Sequence, residues 1–141
     1  NNSKNIYAFV GVSFSNHVVY SLVDYDGDFD YTGLGIIEHL TRDKNKFVSR
    51  IMESQSYKSI EFIDNDNIVM GEFYSNKNTN IDSFNQIYTM MFTDNPIEYY
   101  YIYDAIEDLL FVKTPELDKP LGIDYINKND VQHFKTILQW K

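Results

Sequence analysis

The sequence of 141 residues contains no cysteine. A chain without thiols forms no disulfide, and it offers neither a thiolate metal ligand nor a cysteine nucleophile. Its stability must therefore come from an apolar core, and a chain of this length buries about two thirds of the surface that its unfolded form exposes. No linker rich in Pro, Gly or Ser divides the sequence. We predict a single globular domain over residues 1–141.

Basic residues are also scarce. Lys and Arg together number 12 against 21 Asp and Glu, which gives a formal net charge of −9. Affinity for nucleic acid comes largely from Lys and Arg side chains that neutralise phosphates, so direct binding to nucleic acid is not expected. A strongly acidic surface keeps a protein in solution, and it also attracts basic partners. The composition therefore favours either plain solubility or recognition of a basic protein.

Long apolar runs are missing as well. The longest one, IYAFVGV from Ile6 to Val12, is too short to span a bilayer. It also lacks the basic flank and the small-residue cleavage site of a signal peptide. We expect no membrane association and a cytoplasmic location.

Two segments have the β-branched and aromatic pattern of β-hairpins. The first hairpin joins NIYAFVGVSF to HVVYSLVDY through a turn at Ser15-Asn16. The second joins strands near Ile60–Ile63 and Ile68–Phe73 through the turn-forming residues Asp64–Asn67.

A third hairpin is predicted in IEYYYIYDAIEDLLFVKTP. Because side chains alternate along a strand, Tyr99, Tyr101 and Tyr103 would share one face of the sheet. A continuous helix over Ile102–Val112 is the competing interpretation.

Apolar residues at helical spacing predict three helices. The first extends from about Ile36 to Ile51 with a break near Asp43–Asn45, and the second lies around Ile81–Met91, where a strand is the alternative. The last helix includes Val131–Leu138.

Asn129 or Asp130 is the expected cap of that last helix. Consecutive hairpins favour an antiparallel sheet. The predicted fold class is therefore α+β, with an antiparallel sheet of about three β-hairpins and two or three helices packed on one face.

The segment DYDGDFDYTG follows the first hairpin. It contains four aspartates in seven positions: Asp24, Asp26, Asp28 and Asp30. An EF-hand loop also begins with Asp or Asn at alternate positions, but it requires Gly at its sixth position and Glu at its twelfth. Counted from Asp24, those positions hold Phe29 and Gly35. A calcium site is therefore not expected.

Phosphoryl transfer is an alternative interpretation of the same residues. SLVDYDGDF, an apolar strand that ends in Asp-x-Asp-Gly, resembles the first motif of haloacid-dehalogenase-type phosphatases. The resemblance implies Asp24 as nucleophile, Asp26 as general acid and base, and a magnesium ion in the site. Asp28 stands where that family usually has Thr or Val, and no downstream acidic metal motif follows. A magnesium-dependent phosphatase-like enzyme is therefore one alternative function, and a structural or oligomeric component is another.

Other signatures of catalysis are missing from the sequence. It contains no GxxxxGK[ST], GxGxxG, GxSxG or HExxH motif. We expect no enzyme activity, and we predict no catalytic residues, no metal ligands and no cofactor.

Recognition of another protein is the remaining class of function. Carboxylates steer association with Lys- and Arg-rich proteins, and aromatic residues anchor interfaces and contact cations. The predicted partner-binding residues are acids at turns and strand ends together with tyrosines of the third hairpin: Asp24, Asp26, Asp28, Asp30, Asp64, Asp66, Tyr99, Tyr101, Tyr103, Asp104, Glu107 and Asp108. The sequence therefore predicts an acidic, non-enzymatic inhibitor or immunity-type protein that blocks the active-site cleft of a basic partner such as a nuclease toxin.

Overall fold

The computed structural model describes residues 5–14, 18–53, 59–63, 69–74, 80–81 and 84–139, with side chains described for 5–14, 18–53 and 87–138. The elements in chain order are β1 (Tyr7–Ser13), β2 (Val18–Val23), a π-helical turn (Phe29–Gly33), α1 (Leu34–Glu53), β3 (Ser59–Ile63), β4 (Val69–Tyr74), β5 (Asn80–Ile81), α2 (Phe84–Met91), β6 (Ile97–Asp104), β7 (Leu109–Lys113), β8 (Leu121–Ile123) and α3 (Lys128–Gln139). The predicted α+β class is confirmed.

The strands form one mixed sheet in the order β3-β4-β2-β1-β6-β7-β8, and β5 pairs with the beginning of β2. β1 is parallel to β6, whereas the other pairs are antiparallel. The expected purely antiparallel sheet is therefore wrong. Hairpin patterns specify the pairing inside each hairpin, but they do not specify how one hairpin lies beside the next.

The three predicted pairs of strands are present as β1–β2, β3–β4 and β6–β7. Three hairpins do not account for the whole sheet, because β8 adds a further strand to β7 and β5 adds one to β2. The helix considered over Ile102–Val112 is wrong, since those residues form β6, a tight turn and β7. The turns expected at Ser15-Asn16 and Asp64–Asn67 lie outside the described residues.

Helices cover both faces of the sheet, which corrects the expectation that they pack on one face. Val10 and Tyr101 belong to the apolar core beneath α1 and α3. Phe9 and Tyr100, their neighbours along the same strands, pack with Ile87 of α2 on the other side. Strands that are apolar on both faces need cover on both faces. None of the helices in the described residues is long and apolar enough to cross a bilayer.

The predicted break in the first helix is confirmed. Asp43 leaves the helical conformation, with φ −162° and ψ 90°, and divides α1 into two segments. Its carboxylate Oδ1 accepts a hydrogen bond of 3.1 Å from the main-chain N–H of Lys46. This is the bond that an N-cap residue makes, so Asp43 begins the second segment.

The cap of α3 lies earlier than expected. The Oδ1 of Asn127 accepts hydrogen bonds from the main-chain N–H groups of Asn129 (3.0 Å) and Asp130 (3.4 Å). The predicted caps Asn129 and Asp130 are therefore already inside the helix. Asp130 has a different role, because its Oδ2 accepts a bond of 2.8 Å from the N–H of Asp124.

Candidate functional site

The acidic segment leaves the sheet after β2 and winds directly into α1 through the π-helical turn. The main-chain carbonyl of Asp28 accepts hydrogen bonds from the N–H groups of Thr32 (3.0 Å) and Gly33 (3.4 Å). The hydroxyl of Thr32 donates to the main-chain carbonyl of Asp26 across 2.6 Å. These hydrogen bonds within the segment hold it in a compact turn.

Two contacts at Gly27 join the acidic segment to the residue before β1 and to β6. The N–H of Gly27 donates to the carbonyl of Ile6 (3.0 Å), and the hydroxyl of Tyr101 donates to the carbonyl of Gly27 (2.7 Å). A Cβ atom at position 27 would lie 2.6 Å from the carbonyl oxygen of Ile6. Only glycine permits this close approach of the two backbones.

Beside the turn lies a pocket of about 190 Å³, here named the Tyr99 pocket. Its lining comes from the π-helical turn and the residue before it, β6, the β7–β8 connection and α3: Asp28, Phe29, Asp30, Tyr99, Glu116, Lys135 and Leu138. Sites for drug-sized ligands usually measure about 300–1,000 Å³. This smaller volume suits one side chain or a comparably small group.

The strand topology explains why the acidic turn and Tyr99 meet. β2 is antiparallel to β1, and β6 is parallel to β1. The last residues of β2 and the first residues of β6 therefore lie at the same end of the strands. Ala8 shows this directly, because it pairs with Val23 on one side and with Tyr99 on the other. Of the predicted partner-binding residues, Asp28, Asp30 and Tyr99 are brought together here.

The electrostatic character of the Tyr99 pocket is negative, since three carboxylates face one ammonium group in its lining. Burial, followed by the charges of Glu116, Asp28, Glu98 and Asp30, raises the pKa of Tyr99 to about 12. The phenol therefore stays protonated at neutral pH.

Glu116 is the lining residue from the β7–β8 connection. Its Oε2 atom is buried from solvent and has no hydrogen-bond partner among the described residues. Buried polar atoms are normally hydrogen-bonded, because leaving them unpaired costs free energy. The carboxylate group of Glu116 contributes negative charge to the lining.

A second acidic group lies at the other end of β6, in the turn to β7. Asp104 is five residues beyond Tyr99, which corresponds to about 16 Å along an extended strand. Its Oδ1 accepts hydrogen bonds from the N–H groups of Ile106 (2.9 Å) and Glu107 (3.1 Å). The predicted acidic residues thus form separate groups, and Asp104 shapes its own turn.

Asp108 closes the same turn. Its Oδ1 accepts hydrogen bonds of 2.5 Å from the hydroxyls of Tyr103 and Tyr125, and its Oδ2 accepts one of 3.4 Å from Lys44. The two tyrosine hydrogen bonds are the main reason that the pKa of Asp108 is lowered from its ordinary value. In return, burial and the bond to Asp108 raise the pKa of Tyr103 to about 12.

The remaining predicted partner-binding residues lie in different settings. Tyr101 and Tyr103 are buried, and their hydroxyls hold the turns at either end of β6. Asp24 and Asp26 precede the π-helical turn without lining the Tyr99 pocket. Asp64 and Asp66 lie outside the described residues.

Sequence patterns did not identify four of the residues that line the pocket. Lys135 and Leu138 are three positions apart, so they share one face of α3, which was the only available signal. Glu116 lies in an irregular connection, and Phe29 resembles any core aromatic residue in sequence. Their proximity to Tyr99 is a property of the folded chain.

The phosphatase-like interpretation concerns Asp24 and Asp26, which follow β2. This strand is antiparallel to both β1 and β4. Within the described part of the chain, no three His, Asp or Glu side chains are grouped so that they could hold a metal ion.

Comparison with known proteins gives no relative. No family model, curated protein or solved structure matches the chain. Its function must be inferred from the chemistry of the Tyr99 pocket.

Proposed function

We propose that this chain is a non-enzymatic, acidic protein-binding module that inhibits a basic partner, such as a nuclease toxin, in the cytoplasm. One observation carries the proposal: Asp28, Asp30 and Glu116 line a small pocket that also has aromatic and apolar walls. A pocket with this lining suits the cationic side chain of another protein.

The chemistry of the lining matches a Lys or Arg side chain along its whole length. Phe29 and Leu138 offer apolar surface to the aliphatic stem, and Tyr99 adds an aromatic ring that a cation can contact. The carboxylates balance the positive charge. An anionic ligand would be repelled, because the lining has more carboxylates than ammonium groups.

The charge of the whole chain supports the same partner. A net charge of −9 attracts a basic surface over distances up to the Debye length, which is about 8 Å at physiological salt. The partner would then place a cationic side chain from its cleft in the Tyr99 pocket. Inhibition follows because the acidic surface occupies the cleft and its carboxylates take the place of substrate phosphates.

Affinity capture from native lysate of the source organism tests this function. The bait is the full chain, and the pocket variant Asp30→Asn/Glu116→Gln is used in parallel. We expect wild type to retain a basic protein and the pocket variant to lose it. The enzymatic activity of the captured protein should fall when wild type is added.

A matched control separates the pocket from overall charge. Glu53→Gln/Asp94→Asn removes the same formal charge at two exposed residues outside the pocket lining. This control should retain the partner. Capture of the same protein by wild type and the pocket variant alike, or capture of acidic proteins only, would overturn the proposal.

A further inference from the structure

We infer, on the basis of the proposed function, that the Tyr99 pocket selects an arginine side chain over a lysine side chain. The carrying observation is the combination of fixed aromatic walls with carboxylates that approach from two separate segments. These features distinguish a planar guanidinium group from a compact ammonium group.

The aromatic walls are held in place by contacts behind them. The ring of Tyr99 stacks on that of Tyr101, with centroids 6.3 Å apart and an interplanar angle of 12°. The ring of Phe29 packs on Phe134 of α3 with centroids 5.0 Å apart. A flat guanidinium group stacks on a fixed aromatic face, and it gives up its hydration shell more easily than an ammonium group does.

The acceptors are distributed in a way that suits several donors. Asp28 and Asp30 lie at the π-helical turn, whereas Glu116 lies in the β7–β8 connection. A guanidinium group has five N–H donors that spread in a plane and can reach carboxylates on different sides.

Lys135 gives a second expectation for the same site. Its ammonium group shares the lining with the carboxylates, so it competes with an incoming cation for their charge. Lys135→Gln removes this competition and should strengthen the binding of both cationic probes by a similar factor.

Amide NMR titration of the full chain with three small probes tests the selectivity. The probes are N-acetyl-arginine amide, N-acetyl-lysine amide and the neutral N-acetyl-norleucine amide. We expect saturable shifts at Asp28–Asp30 and Glu116, with the arginine probe bound about tenfold more tightly than the lysine probe. Tyr99→Leu should abolish most of this preference, whereas Tyr99→Phe, which keeps the ring, should preserve it.

The outcomes separate this inference from the proposed function. Equal affinity for the arginine and lysine probes would overturn arginine selectivity and leave recognition of a basic partner intact. If Tyr99→Leu keeps the full preference for the arginine probe, arginine selectivity is likewise overturned and recognition of a basic partner is left intact. If neither cationic probe shifts the pocket residues, or the neutral probe binds as tightly as they do, both the selectivity and the proposed use of the pocket are overturned.

Discussion

The hydroxyl of Tyr101 donates a hydrogen bond of 2.7 Å to the main-chain carbonyl of Gly27, across 74 positions of the chain. Tyr101 lies on β6, in the interior of the sheet, and Gly27 lies in the acidic segment. Burial raises the pKa of Tyr101 well above its ordinary value, so the donor keeps its proton. The sheet therefore fixes the loop that presents Asp28 and Asp30 to the Tyr99 pocket.

Removing that hydroxyl should loosen the acidic segment. In Tyr101→Phe the buried carbonyl of Gly27 loses this donor, and the free energy of unfolding should fall by about 1–3 kcal/mol. Urea denaturation measures the loss. Tyr100→Phe is the control, because the hydroxyl of Tyr100 makes only longer bonds of 3.3 and 3.4 Å. Equal losses in the two variants would argue against a special role for the Tyr101 bond.

Gly27 should tolerate no side chain. Gly27→Ala forces a Cβ to within 2.6 Å of a backbone oxygen, and overpacking of this kind costs about 1–3 kcal/mol. Gly122→Ala is the comparison. A Cβ atom at position 122 would lie 3.2 Å from the ring of Phe111, a side chain that can move. Thermal unfolding should show a clear loss of stability for Gly27→Ala. For Gly122→Ala the free energy of unfolding should change by about 0.5 kcal/mol or less. Comparable melting temperatures would contradict the close approach.

The sequence predicted those parts of the fold that depend on local patterns. The alternation of side chains identified β6 and the shared face of Tyr99 and Tyr101, and the helical spacing with a polar interruption identified the break at Asp43. The parallel pairing of β1 with β6 was missed, because it joins segments that are far apart in the chain. No local pattern encodes it.

The sequence predicted only part of the candidate site, because local patterns identify some of its residues and the folded chain brings in the others. Asp28, Asp30 and Tyr99 stood out by charge and periodicity, and the sheet brings them together. Glu116 and Lys135 complete the lining only after the β7–β8 connection and α3 have packed against the sheet. Composition alone could not place them.

Asp108 should make stability depend on pH. Its pKa is lowered in the folded state from an ordinary value of 3.8, so it contributes stability above that value and loses it as pH falls through the folded pKa. In Asp108→Asn this contribution is absent, and we expect a loss of about 0.5–1 kcal/mol at neutral pH, allowing for solvent exposure. Asn also tolerates the positive φ of 57° at this position.

Urea denaturation at pH 7 and at pH values below 3.8 checks this effect. The difference between wild type and Asp108→Asn should shrink in acid, because protonated Asp108 no longer carries the charge that the tyrosines stabilise. Glu107→Gln, at an exposed neighbour in the same turn, should show no such change. A difference that is constant across this range would contradict the assignment.

The carboxylates of the Tyr99 pocket should lower the stability of the folded chain. Asp28, Asp30 and Glu116 repel one another, so Asp30→Asn/Glu116→Gln should raise the free energy of unfolding by about 0.2–1 kcal/mol while it weakens partner binding. The control Glu53→Gln/Asp94→Asn should change stability less. A lower melting temperature for the pocket variant would show that these carboxylates support the fold.

The most direct measurement is the association and dissociation of the captured basic partner with wild type, the pocket variant and the control across ionic strength. Screening shortens the Debye length from about 10 Å at 0.1 M salt to about 3 Å at 1 M, so the wild-type association rate should fall steeply. The pocket variant should dissociate about tenfold faster or more at every salt concentration, because it loses desolvated charge contacts, and the control should not. A flat salt profile together with unchanged dissociation of the pocket variant would contradict cation recognition by the Tyr99 pocket.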